Sequence, residues 1–428
     1  MVEKLMQYVW QHRLWDSAGL VTNDGRKISV IDTGLLNTDS GPDFFNAKIN
    51  IGGEMWAGNV EIHLRASDWR RHHHDTDKAY DSVVLHVVAK DDCPVYRSNG
   101  ERIAQCVMQV SPHFSERYHQ LVDVDNELPC ASAIAQVPSI HITEWIEALT
   151  FERMHAKVDH INELLGSFAG SWEDVCYVML ARNLGFGING DAFERLARRT
   201  PLRLIGKHSD SLFQIEALMF GQAGMLNADT NPQDEYYQQL CKEYAFLANK
   251  FSLTPMGGST WRFFRIRPQS FPYRRIAMLA QLLHGGFRFF TDIIEAPDEA
   301  ALRRLFDIEL SGYWASHYAF GKPSTGNARA LSNQSVDILL INTVAPLYYA
   351  YGERIGSYET TDRAIDLLSH LRPEHNSIVE MFARSGIRAD NAMMSQALIQ
   401  LRRQYCEARK CIYCRIGHQL LAKAASQP

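Results

Sequence analysis

The stretch from Asp43 to His86, entered through Gly41-Pro42, constrains this chain more than any other. It reads GPDFFNAKINIGGEMWAGNVEIHLRASDWRRHHHDTDKAYDSVVLHV: a turn, an extended run, a Glu-Ile-His triplet, a histidine cluster and an apolar run. Successive side chains on a strand point to opposite faces, so in Asn59-Val60-Glu61-Ile62-His63 the side chains of Glu61 and His63 share one face while Val60 and Ile62 enter the core. Gly41-Pro42 reads as a turn that sets Asp43 at the start of the run Phe45 to Ile51. Gly52-Gly53 is a hairpin signal, so that run and the strand carrying Glu61 are expected to be antiparallel neighbours, with Asp43 brought back towards Glu61. Two carboxylates and the main-chain carbonyl of Ile62 would make an oxygen-rich site for Mg²⁺ or Mn²⁺, with His63 beside the water. A one-residue slip of the hairpin would turn Glu61 and His63 inward.

The other histidines divide by their surroundings. His72, His73 and His74 lie in a charged stretch, and such runs are usually solvated surface, with a ligand contact as the alternative. His86 interrupts the apolar run Val83 to Ala89, which reads as a central strand. It is therefore either a core histidine with a hydrogen-bond partner or a member of the site built by Asp43 and Glu61.

At Pro42-Asp43 and Glu61-Ile62-His63 the sequence resembles the PD-(D/E)XK nuclease superfamily, whose motif is an acid followed, on the next strand, by Glu-x-Lys. Seventeen residues separate the two acids, and histidine stands where the superfamily has lysine. The order of segments is also that of such a nuclease core: a helix, a strand, the acid-bearing hairpin, a short polar helix, a buried strand. The resemblance implies metal binding by Asp43 and Glu61; the change to histidine bears on turnover, because histidine accepts a proton near neutrality but is not a permanent cation. Over nearly its full length the chain also looks like an uncharacterised bacterial family filed as a domain of unknown function. The stretches behind this are Gly-Pro-Asp43-Phe, Gly-Asn-Val-Glu61-Ile-His63, Tyr80 with Leu-His86-Val-Val, Glu216 to Gly224, and Tyr-Cys406 with Cys411-Ile-Tyr-Cys414. That second resemblance implies an architecture and no activity.

A chain of 428 residues exceeds what one core usually serves, so two domains are expected. The fold class expected is α+β. An α/β domain with the nuclease-like sheet, five or six mixed strands and flanking helices, spans 1–125; a linker spans 126–138; an all-α domain spans 139–428. Helix-length segments there include Trp172 to Leu184, Glu235 to Phe251, Ser335 to Tyr351 and Met393 to Ala425. A net charge of −5 gives no global attraction to nucleic acid, so such a partner must be met by local patches. Trp261 to Pro268 and Phe271 to Arg275 interleave cations with aromatics, and Arg262, Arg265, Arg267, Arg274 and Arg275 could clamp phosphates while the rings stack on bases. Arg195, Arg198, Arg199, Arg203 and Lys207 form a second basic group that a solvated helix face would equally explain. No apolar run approaches membrane-spanning length and MVEKLMQYVW is unlike a signal peptide, which together place the chain in the cytoplasm, without a membrane partner.

In that compartment eight cysteines read as buried thiols or metal ligands. Three fall within nine residues, in Cys406-Glu-Ala-Arg-Lys-Cys411-Ile-Tyr-Cys414, with His418 close behind. On a helix Cys411, Cys414 and His418 share a face, where they could hold Zn²⁺ with Cys406 as the fourth ligand. The spacing Cys-x₄-Cys-x₂-Cys also suits an iron–sulfur cluster completed by a remote cysteine, and some nucleases of the superfamily above carry one. Cysteines at helical spacing can also be small buried hydrophobes.

The leading expectation is a metal-dependent phosphodiesterase, a nuclease, in which Asp43 and Glu61 hold Mg²⁺ or Mn²⁺ and His63 positions or deprotonates water. One alternative is a non-catalytic nucleic-acid-binding or scaffold protein with a degenerate nuclease core. Another is a hydrolase of a different substrate, built on a transition-metal site of His63, His86 and one of His72 to His74.

Overall fold

In a computed structural model, residues 3–15, 19–123, 126–227, 234–257, 261–264, 266, 270–324 and 330–425 are described. The class is α+β. The chain divides into two compact units, the first comprising Met1–Ile146, Arg384–Ile387 and Leu401–Pro428, the second Glu147–Ala383 and Arg388–Gln400.

The first unit begins with α1 (Glu3–Gln11), whose Leu5, Met6, Val9 and Trp10 recur at helical spacing and are buried. Five strands follow: β1 (Leu20–Val21), β2 (Lys27–Asp32), β3 (Leu35–Leu36), β4 (Phe44–Ile51) and β5 (Glu54–Arg65). Gly52 (φ 65°) and Gly53 (φ 98°) join β4 to β5 in a two-residue turn, where two consecutive positive φ angles call for glycine. After β5 come α2 (Asp68–Arg71), a turn rich in histidine, β6 (Val83–Lys90), β7 (Ala104–Val107) and α3 (Pro112–Val122).

The sheet order is β1-β2-β4-β5-β6-β7, with β3 also pairing β4. Pairing is antiparallel as far as β5 and parallel from β5 to β7. β6 is buried on both faces, as its continuous Val-Val-Leu-His-Val-Val run requires. Beyond β1, Thr22 bridges to Cys106 of β7 and the Asn23 N–H donates to the Gln105 carbonyl at 2.9 Å, so the two margins of the sheet meet. The sheet has seven strands against an expected five or six; β1 and β3 are two residues long, too short to carry a period-two pattern.

The second unit is helical around one large core. The helices Trp172–Leu184 and Glu235–Phe251 have the bounds expected from the sequence. Ser335 to Tyr351 lies in a longer stretch, Asn333–Leu339, a π turn Leu340–Val344 and Ala345–Ile355; the widened turn precedes Pro346, which has no N–H to give. A small hairpin, His317–Ala319 with Lys322–Pro323, departs from the all-α expectation.

Two boundaries differ from those read in the sequence. Residues 126–138 bury Leu128, Ile134 and Val137 within the first unit, and the division between units falls at Ile146/Glu147, inside the helix Ser139–Ser167. Tight turns, which carry no periodicity, look like a linker in sequence. The expected helix from Met393 to Ala425 is broken into Ala392–Gln400, a π turn Leu401–Cys406, a 3-10 turn Cys411–Tyr413 and Arg415–Ala425, the last three in the first unit. Arg409 takes a left-handed φ of 51° at the break. Among the described residues no helix is long and apolar enough to cross a membrane.

Candidate metal centre

The hairpin register decides whether the two acids meet. Between the pairs Phe44–Val60 and Ala47–Gly58 the ladder of β4 and β5 shifts, with Asn46 at φ 58°, which is a β-bulge. The Asp43 N–H donates to Glu61 Oε2 at 3.0 Å and the Ile62 N–H to Asp43 Oδ2 at 2.9 Å. Gln7, from α1, donates through Nε2 to Asp43 Oδ1 at 2.9 Å. The carboxylates are therefore neighbours, but each spends an oxygen on a main-chain N–H, and Ile62 offers Asp43 its N–H. Burial, reinforced by the charge of Glu61, pushes Asp43 up to about 7, and burial pushes Glu61 up to about 8. Each needs a proton or a cation nearby.

Alternation on β5 puts Glu61 and His63 on one face, and the parallel pairing of Glu61 with His86 on β6 adds a second imidazole there. His63 Nδ1 lies 2.9 Å from His86 Nε2, and His63 Nε2 lies 3.1 Å from His72 Nδ1 and 3.4 Å from Glu61 Oε1. His74 Nε2 is 3.3 Å from that same Oε1. One ligand atom from each of His63, His72 and His74 falls within 4.8 Å of the others.

Local chain geometry delivers this trio. Asp68 Oδ2 accepts from the Arg65 N–H at 3.1 Å, closing the turn out of β5. His73 is exposed with φ 64°, a left-handed conformation in which histidine is enriched, and it turns the chain so that the residues on either side of it both face Glu61 and His63. His74 is fixed by stacking on Tyr80 (3.7 Å between centroids) and by the edge of Trp69 (5.3 Å). Burial, with neighbouring imidazoles, pushes His63 down to about 2 and His86 down to about 3, and burial lowers His74. Neutral imidazoles are the form that binds metals. His72 is exposed and forms the open side of the group, next to Arg71, whose guanidinium is 3.5 Å from His72 Nε2.

A bound ion fits these residues. With His63 Nε2 as ligand, its Nδ1–H would donate to His86 Nε2, an outer partner that fixes the tautomer. His86 would then carry its proton on Nδ1, a buried atom with no hydrogen-bond partner. His86 is therefore placed, through its 2.9 Å contact with His63, where it would support such a ligand, and it also fits a core histidine with one hydrogen-bond partner. Gln7 and Arg71 had no distinguishing signal in the sequence, since each is unremarkable within its own element; Tyr80 stood out only as part of the family resemblance.

Of the remaining candidates Cys406, Cys411 and Cys414 line one cavity, and the others do not join them. His418 Nδ1 is 2.6 Å from the Tyr8 hydroxyl and its ring packs on His12, away from any shared helix face with Cys411 and Cys414, because the helix is broken there. Arg274 and Arg275 require correction as surface phosphate clamps: both are buried, Arg274 donating to the His317 carbonyl and Arg275 lying 4.4 Å over the Phe186 ring. Helical spacing in Pro272–Leu283 turns that face inward. Arg262 is exposed, whereas Arg265 and Arg267 lie outside the described residues. In the second basic group Arg198 pairs with Glu194 at 2.9 Å, and Arg199 donates to the Thr254 carbonyl at 3.2 Å.

A mixed sheet whose paired strands present carboxylates and imidazoles to a histidine-bearing turn defines an α+β protein with a candidate metal centre. The chain belongs to the family described as Protein of unknown function (DUF2851), whose model matches residues 3–377. No curated protein and no solved structure matches the chain.

Proposed function

We propose that this protein is a metal-dependent hydrolase whose ion, Zn²⁺ or Mn²⁺, is held by His63, His72 and His74 with Glu61 Oε1 beside it. The observation that carries this reading is the convergence of three imidazoles, two of them buried, within 4.8 Å. Imidazole with carboxylate suits a transition ion better than Mg²⁺, which prefers oxygen ligands and water. Such an ion supplies Lewis acidity and makes a coordinated water more acidic. Glu61, seated between His63 and His74, would serve as the base once the charge of the ion has offset the burial that raises its affinity for a proton; Asp43, by holding the Ile62 N–H, is a positioning residue. Phosphodiesters are the substrate class, supported by the resemblance of the Asp43/Glu61 hairpin to nuclease cores and by Arg71 at the exposed side, where a phosphate would enter.

A second reading, Mg²⁺ between Asp43 and Glu61, draws on their adjacency through the 3.0 Å bond from the Asp43 N–H. Metal content and hydrolysis of bis(p-nitrophenyl) phosphate, DNA and RNA separate the two. The transition-ion reading expects about one Zn²⁺ or Mn²⁺ bound at this site, lost in His63→Ala and His74→Ala, with hydrolysis falling at least tenfold. Activity with Mg²⁺ that survives His74→Ala and dies in Asp43→Asn would establish the second reading instead. Hydrolysis unchanged in all three variants sinks both.

A further inference from the structure

Four cysteines of the first unit surround one cavity. Cys406, Cys411 and Cys414 come from the broken C-terminal segment, and Cys130 comes from the turn after Pro129, a remote position that the sequence alone did not single out. Leu121, Tyr405 and Gly417 complete its wall. We propose that Cys130, Cys406, Cys411 and Cys414 ligate an iron–sulfur cluster, and that this cluster fastens the C-terminal segment within the first unit.

Chain spacing favours a cluster over a single ion. Cys406, Cys411 and Cys414 follow the pattern Cys-x₄-Cys-x₂-Cys, which with one cysteine from elsewhere in the chain is an iron–sulfur ligand spacing.

The surroundings suit bound thiolates. The N–H groups of Ile416 and Gly417, opening the helix Arg415–Ala425, favour the Cys414 thiolate against the burial that pushes its thiol up. The indole of Trp145, only 7% exposed and with an N–H that has no hydrogen-bond partner, favours it too. Such N–H donors stabilise thiolate charge and tune clusters. Gly417 cannot carry a side chain, because a Cβ there would lie 2.0 Å from the Cys411 carbonyl oxygen; the loop is drawn tightly round the cysteines. Arg402 donates to the Glu127 carbonyl at 2.8 Å, tying the same segment to the turn that carries Cys130. His418 takes no part, since Tyr8 and His12 occupy its ring.

The test is anaerobic purification of the full chain, with assay of iron and acid-labile sulfide and an absorption spectrum, followed by reconstitution with ferrous iron and sulfide. Wild type should carry iron and sulfide in about equal amounts, with a broad band near 400 nm characteristic of thiolate-bound clusters. Cys130→Ser and Cys414→Ser should each lower iron at least fivefold, while Cys241→Ser, outside the group, leaves it unchanged. Circular dichroism separates loss of the cluster from loss of the fold, and resonance Raman of wild type reads cysteine ligation independently of any variant. Stoichiometric zinc without sulfide, a disulfide among these four cysteines, or no metal after reconstitution would each overturn the proposal, as would iron retained in Cys130→Ser.

Discussion

Glu216 shows how one buried group writes a pH dependence into the second unit. It lies in the helix Leu212–Gln222, accepts a hydrogen bond from the Tyr236 hydroxyl, and burial lifts it from its ordinary 4.5 to about 7. Between those values the folded chain holds a proton that the unfolded chain has released. The contribution to stability is therefore fully present below pH 4.5, declines as pH rises, and is gone above 7. The whole effect is about 3 kcal/mol at most. Glu216→Gln should raise the stability of the second unit at pH 8 and flatten its slope between pH 5 and 7, as read by thermal unfolding; an unchanged slope would assign the pH dependence elsewhere. At the candidate metal centre, single residues were legible where strand alternation fixed them: Glu61 and His63 share a face as read. The convergence of His72 and His74 was not, because it depends on the left-handed backbone of His73, which no periodicity announces.

At the scale of elements, the approach of β6 to β5 turns on Gly58. A Cβ there would lie 2.4 Å from Val84 Cγ1 and 2.7 Å from the Ser82 carbonyl oxygen, and that oxygen belongs to backbone that cannot swing aside. Gly58→Ala should cost the first unit about 1–3 kcal/mol in denaturant unfolding, as overpacking does, and should weaken metal retention because Glu61 and His63 follow on the same strand. A loss under about 0.5 kcal/mol would mean that the strands part easily. The hairpin, the central strand and several helices could be read from glycine signals and period alone. The π turn at Leu340–Val344, the two-residue strands and the break after Cys406 could not, for each is a local answer to packing or to a proline and leaves the hydrophobic pattern nearly intact.

At the scale of the whole molecule, the chain leaves the first unit after Ile146, returns to it for Arg384–Ile387 and comes back to it again from Leu401. A truncation that removes residues 401–428 should therefore damage the first unit and spare the second. Hydrogen exchange followed by mass spectrometry should show faster exchange in α3 and in the turn around Cys130, with the helices Trp172–Leu184 and Leu212–Gln222 unchanged; the reverse pattern would contradict the division.

The meeting of the sheet's two margins, through Thr22 with Cys106 and Asn23 with Gln105, has a bearing on how the molecule behaves in a crowded solution. An outermost strand ordinarily offers a row of unpaired amides on which another chain can template itself. Here the chain beyond the first strand meets the last one, so the amides engaged in that bridge and in the Asn23 bond are spent within the sheet and not offered to a neighbour.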